Sequence, residues 1–142
     1  MMRFVVDASV AIKWLVEEGG SDMAGRLLES DHDLHAPRLM ASEVANALWR
    51  KVRLGEIARG EAGVLIAAVT EMPLHWSNDE TRCADAVRLA VALDRPAYDC
   101  VYLALAYRIG AKVVTADARF ANALAATEHD GAVTVLADYA GE

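Results

Sequence analysis

This chain is short of cysteine, of positive charge and of long apolar runs, and each shortage removes a class of protein. Only two cysteines occur in 142 residues, Cys83 and Cys100, and they form no CxxC pair. That argues against a disulfide scaffold or a zinc ribbon. Both lie within helical patterns and read as buried free thiols. No stretch approaches the ~20 apolar residues that cross a bilayer as a helix. The apolar part of Met1-Met2-Arg3-Phe4-Val5-Val6-Asp7 is too short for the hydrophobic region of a secretory signal. We therefore expect a cytoplasmic protein that does not enter membranes. Lys and Arg number 14 against 21 Asp and Glu, a formal charge of −7. That is the wrong sign for a blanket basic nucleic-acid binder or for adsorption to an anionic membrane.

What is present is a globular composition, 55% hydrophobic and 25% charged. No linker, low-complexity block or internal repeat interrupts it, so residues 1–142 are expected to form one domain. Short apolar strands are predicted at 4–6, 33–36, 72–76, 112–115 and 132–136. Helices are predicted at 8–18, 21–30, 38–54 (opened by Pro37), 56–71, from a capping box at 77–80 to 93, from 99 to Gly110, and briefly after Asp117. Alternation of this kind implies a parallel sheet covered on both faces by helices.

Four acids stand where such a fold places chemistry. In open parallel sheets, ligands bind beyond the carboxyl ends of strands. Asp7 follows the first strand and Asp117 follows Val113-Val114-Thr115-Ala116. Glu43 sits between the core-facing Met40 and Val44. Asp99 opens a helix apolar nearly all round, which predicts a buried carboxylate. Each acid alone has a structural explanation, as an N-cap, a dipole partner or a solvated side chain. Placed together they would repel one another unless a cation lay between them. Carboxylate oxygens without His or Cys suit a hard ion such as Mg²⁺ or Mn²⁺, and such sites support phosphodiester hydrolysis.

The motifs Val6-Asp7-Ala8-Ser9, Ser42-Glu43-Val44, Tyr98-Asp99-Cys100-Val101-Tyr102-Leu103-Ala104-Leu105-Ala106 and Thr115-Ala116-Asp117-Ala118-Arg119-Phe120 resemble, in order and spacing, those of the PIN domain. More narrowly, the chain resembles the VapC-type ribonuclease toxins of toxin–antitoxin pairs. The resemblance implies a three-layer α/β/α sandwich around a parallel five-stranded sheet of order 3-2-1-4-5. It implies Mg²⁺- or Mn²⁺-dependent cleavage of RNA, a homodimer, and a cognate antitoxin as partner. It makes Asp7 and Asp99 the central metal ligands, with Glu43 and Asp117 completing the catalytic pocket. Ser9 and Thr115 match positions whose hydroxyls orient the acids.

For RNA contact the candidates are Arg50, seven residues beyond Glu43 on the same helical face, and Arg119. Two other readings stand beside this one. A PIN-like nuclease can process RNA outside any toxin pair. A receiver-like phosphoacceptor module shares the size, the α/β pattern and an acidic Mg²⁺ pocket, but Asp7 is a lone acid where receivers carry two. The four histidines lack a ligand spacing, and Trp14, Trp49 and Trp76 read as core or interface anchors.

Overall fold

Two runs of apolar residues make the middle of the sheet. Strand β1 (Arg3–Val6) and strand β4 (Lys112–Thr115) each start with an exposed basic residue and then bury everything. Burial on both faces is the mark of a central parallel strand. Val5 lies opposite Val113 between them, and β2 (Asp33–Pro37) flanks β1 with Leu34 opposite Phe4. The short strands β3 (His75–Ser77) and β5 (Val133–Val135) close the edges. The computed structural model, which describes residues 1–139, thus holds an all-parallel sheet of order β3-β2-β1-β4-β5. The expected order is the one observed. It also disposes of the receiver-like reading, whose order is 2-1-3-4-5.

Helices α1 (Ala8–Leu15), α2 (Ser21–Leu28), α3 (Leu39–Arg53), α4 (Arg59–Val69), α5 (Cys83–Leu93), α6 (Ala97–Ile109) and α7 (Ala118–Leu124) cover the sheet. In α3, Met40, Val44 and Leu48 recur every four residues and are all buried. In α6 every residue from Cys100 to Ala106 is buried, so this helix is packed on all sides. Gly110 ends it with a positive φ of 68°, a conformation that favours glycine.

Four local expectations are corrected. Pro37 does not open α3 but ends β2, opposite Ser77 of β3. The pairing of β2 with β1 has ended at His35, so the N–H that proline lacks is not needed there. The segment 77–80 does not launch a helix directly. Ser77 belongs to β3, a 3₁₀ turn covers Glu80–Arg82, and α5 starts at Cys83. Cys83 is exposed rather than buried, whereas Cys100 is buried as expected; both are free. Helix α4 starts at Arg59 rather than at Glu56, with Glu61 accepting a bond from the Ala58 N–H.

Candidate active site

The chain runs β1 to β2 to β3 in one direction and then crosses to β4 on the other side of β1. The carboxyl ends of β1 and β4 therefore form the switch point of the sheet, the place where open α/β sheets bind ligands. Asp7 is the first residue past β1. Its N–H continues the ladder to the Val114 carbonyl at 3.0 Å, and its backbone then turns to cap α1. The carboxylate collects three donors: the Ala8 N–H at 2.9 Å on Oδ1, and on Oδ2 the hydroxyls of Ser9 at 2.6 Å and Thr115 at 2.7 Å.

Each hydroxyl also accepts. The Ala116 N–H donates to Ser9 at 2.9 Å and the Asp117 N–H donates to Thr115 at 3.0 Å. A hydroxyl has one proton, and both protons go to Asp7, so the two oxygens lie 3.2 Å apart without one to share. This network joins the ends of β1 and β4. Burial pushes the Asp7 carboxyl above its ordinary range, the Ser9 and Thr115 bonds pull against that, and the charge of Asp99 adds to the rise.

Glu43, half-buried on α3, accepts a 2.5 Å bond from the Tyr102 hydroxyl of α6. Its carboxyl is also raised, first by burial, while the charges of Asp7, Asp99 and Asp79 push the same way and the Tyr102 bond opposes them. Asp99 stands in the first turn of α6. It is half-buried rather than buried, and the Arg95 guanidinium pairs with it at 2.8 Å. The α6 segment that follows is the part enclosed on all sides. Asp7, Glu43 and Asp99 thus act on one another electrostatically at one end of the sheet.

Asp117 lies just beyond β4 but its carboxylate is engaged with α7, accepting from the Arg119 N–H at 3.0 Å and from Arg119 Nε at 3.4 Å. Arg119 is otherwise open to solvent. Arg50 lines one recess with Glu43, Ser42, Asn46 and Tyr98, as its spacing on α3 predicts. Among the described residues no three His, Cys, Asp or Glu side chains are drawn close enough to form a ready-made coordination shell.

Three participants escape the sequence reading. Tyr102 sits in an apolar heptapeptide and reads as core, although a buried phenol demands a partner. Arg95 precedes the helix whose acid it pairs with. Asp79, inside the expected capping box 77–80, accepts from the Leu39 N–H at 2.7 Å and so caps α3.

The PIN domain profile matches residues 4–124. The chain belongs to the PIN-domain family. It is 35% identical over 124 residues to Ribonuclease VapC3 of Pyrobaculum aerophilum, an alignment covering 84% of this chain and 93% of that protein. With Ribonuclease VapC1 of Mycobacterium tuberculosis it shares 31% over 125 residues, covering 87% and 92% respectively. The crystal structure of PAE2754 from Pyrobaculum aerophilum superposes with a TM-score of 0.70 at 24% identity, over 96% of this chain and 85% of that one. That likeness establishes the fold.

Proposed function

We propose that this PIN-domain chain is an endoribonuclease dependent on Mg²⁺ or Mn²⁺, with residues 1–142 forming one domain, and that it acts as the toxin of a toxin–antitoxin pair. The observation that carries the reading is the group Asp7, Glu43 and Asp99: three carboxylates that repel one another at the switch point of the sheet. The relatives at 35% and 31% identity are both named ribonucleases, which makes RNA the substrate to expect.

The donor chemistry fits a hard divalent ion. All the candidate ligands are carboxylate oxygens, and Mg²⁺ binds through one or two carboxylates while keeping several waters, so a closed shell of protein groups is not required. Asp7 and Asp99 would hold the ion, with Glu43 and Asp117 completing the pocket. When bound, Mg²⁺ or Mn²⁺ supplies an activated water and stabilises charge on the leaving oxygen.

The protein's part is orientation. Ser9 and Thr115 fix the Asp7 carboxylate against rotation, and Tyr102 fixes that of Glu43. Arg95 balances one of the three charges. Arg50 and Arg119 offer guanidinium groups to the RNA backbone on either side. A protein antitoxin and a second copy of the chain complete the proposal; exposed apolar side chains that support such contacts are Val87 and Val91, one turn apart on α5, and Trp49 on α3.

The test is cleavage of RNA by the purified protein. Activity should require Mn²⁺ or Mg²⁺ and disappear in Asp7→Asn, and cutting that persists in chelator overturns the reading. Growth arrest on expression, relieved by the product of an adjacent short reading frame, tests the toxin role.

A further inference from the structure

The recess of about 530 Å³ beside Glu43 has a composition that the hydrolytic chemistry does not call for. One wall is a stripe of α3: Leu39, Ser42, Glu43, Asn46, Ala47 and Arg50. The other is Tyr98, in the first turn of α6 immediately before Asp99, and 64% exposed. Ser42, Asn46 and Arg50 are exposed as well.

A tyrosine this exposed, with an apolar body and no core to join, presents a face on which a planar group can stack. Asn46 carries a donor and an acceptor side by side, one turn along α3 from Ser42 and Glu43. Arg50 is unpaired: among the described residues the ion pairs are made by Lys13, Lys51, Arg88, Arg95, Arg119 and His129. The recess therefore offers an aromatic face, an amide and a free guanidinium, and Glu43, which acts electrostatically on Asp7 and Asp99, is one of its lining residues. Its volume falls within the range typical of small-molecule pockets. Single-stranded RNA is read by this combination: unstacked bases lie on aromatic rings, amides pair with base edges, and arginine meets the phosphate.

We propose that this recess is a nucleobase subsite: a base next to the scissile phosphate stacks on Tyr98, Asn46 reads its edge, and Arg50 holds the adjoining phosphate. On the Hoogsteen edge, open in single-stranded RNA, a side-chain amide matches the N6–H donor and N7 acceptor that adenine alone presents there, so adenine is the base the subsite prefers. The proposal rests on the ribonuclease reading above and adds sequence preference to it.

The experiment uses four RNA pentamers that differ only in the central base, incubated with Mn²⁺ and with wild type, Asn46→Ala, Tyr98→Leu and Tyr98→Phe. Both positions are exposed, and melting curves verify that the variants fold. Wild type should favour the adenine pentamer by about tenfold, and Asn46→Ala should erase that preference. Tyr98→Leu should raise KM by about tenfold, with kcat the smaller change, and Tyr98→Phe, which keeps the ring, should recover most of the loss. Equal cutting of all four RNAs by wild type and Asn46→Ala, with the KM of Tyr98→Leu unmoved, overturns the subsite and leaves the ribonuclease reading standing. If wild type cuts none of them, the ribonuclease reading fails. Fluorescence anisotropy of the same labelled pentamers then judges the subsite, and equal affinity for wild type and Tyr98→Leu overturns it too.

Discussion

Replacing Tyr102 with Phe removes a single oxygen from the floor of the acid pocket. The ring is 1% exposed and its packing survives, so no cavity term enters. What is lost is the 2.5 Å bond to Glu43. A hydrogen bond to a charged group contributes about 1.5–3 kcal/mol, and because Glu43 is only half-buried and regains water we place the loss near the lower end, about 1.5–2 kcal/mol. In a chain of this length that lowers Tm by roughly 5–8 °C. The assay is thermal denaturation in chelator at pH 7.5 and again near pH 4.5. The Glu43 carboxyl already titrates above its ordinary value. Lowering the pH therefore protonates it in the folded state first, and the Tyr102 bond becomes one between neutral groups, contributing about 0.5–1.5 kcal/mol. The deficit of the variant should shrink accordingly. A deficit below about 0.5 kcal/mol, or one equal at both pH values, refutes the picture of a phenol holding an ionised Glu43.

Glu43→Gln keeps an acceptor for Tyr102 and removes the charge. A carboxyl raised on folding contributes stability that is full below its unfolded pKa and lost as pH rises through its folded one. The variant should therefore gain on wild type between pH 4 and 8 in chelator, and a variant that loses ground over that range counts against repulsion among the acids. Glu18 behaves in the opposite sense. Burial works against its charge, but bonds from Lys13 and Lys51, each at 2.8 Å, lower its pKa overall. Glu18→Gln should cost roughly 1 kcal/mol at pH 7, the trio being half-buried, and converge with wild type as pH falls through the lowered value. Mn²⁺ at a hundred times its Kd should stabilise wild type by about 2.7 kcal/mol, roughly 8–10 °C, and Asp7→Asn far less, as differential scanning fluorimetry would read. RNA affinity should depend only weakly on salt, with a log–log slope shallower than about −2, because only Arg50 and Arg119 are proposed to meet phosphate. A steep slope would mean that basic side chains beyond Arg50 and Arg119 meet phosphate.

The middle of the fold was legible because its signals are local. Phe4-Val5-Val6 and Val113-Val114-Thr115 are apolar runs with an acid at or just beyond the end, and they fall in the sheet where a buried parallel strand must. Met40, Val44 and Leu48 display the buried face of α3 without help from elsewhere. The site was legible in its acids but not in what holds them. Glu43 and Tyr102 are 59 residues apart, Thr115 and Asp7 are 108 apart, and nothing in either neighbourhood advertises the other. Asp79 escapes for the same reason: it lies inside a segment that reads as a capping box for the following helix, yet it caps α3, whose first turn lies 40 residues back. Hydroxyls at Ser9 and Thr115 were assignable only through family likeness, because a short polar side chain near a strand end has many uses.

The deficit of positive charge looks like an obstacle to an enzyme that handles RNA until the cations are followed to their partners. Lys13 and Lys51 are engaged by Glu18, Arg88 by Asp85, Arg95 by Asp99 and Arg119 by Asp117. Arg3 binds the Ile109 carbonyl and Arg53 lies over Trp49. Much of the basic inventory thus answers the protein's own groups, and bulk charge says little about what a phosphate meets at the site. There, on the proposed reading, Asp7, Glu43 and Asp99 with the Arg95 guanidinium leave two negative charges, the complement of one divalent cation. Without a cation a phosphate is repelled from that pocket; with one, the repulsion is cancelled and unpaired Arg50 sets the sign at its edge. On the proposed reading the acidity is a gate on substrate entry rather than an argument against the substrate.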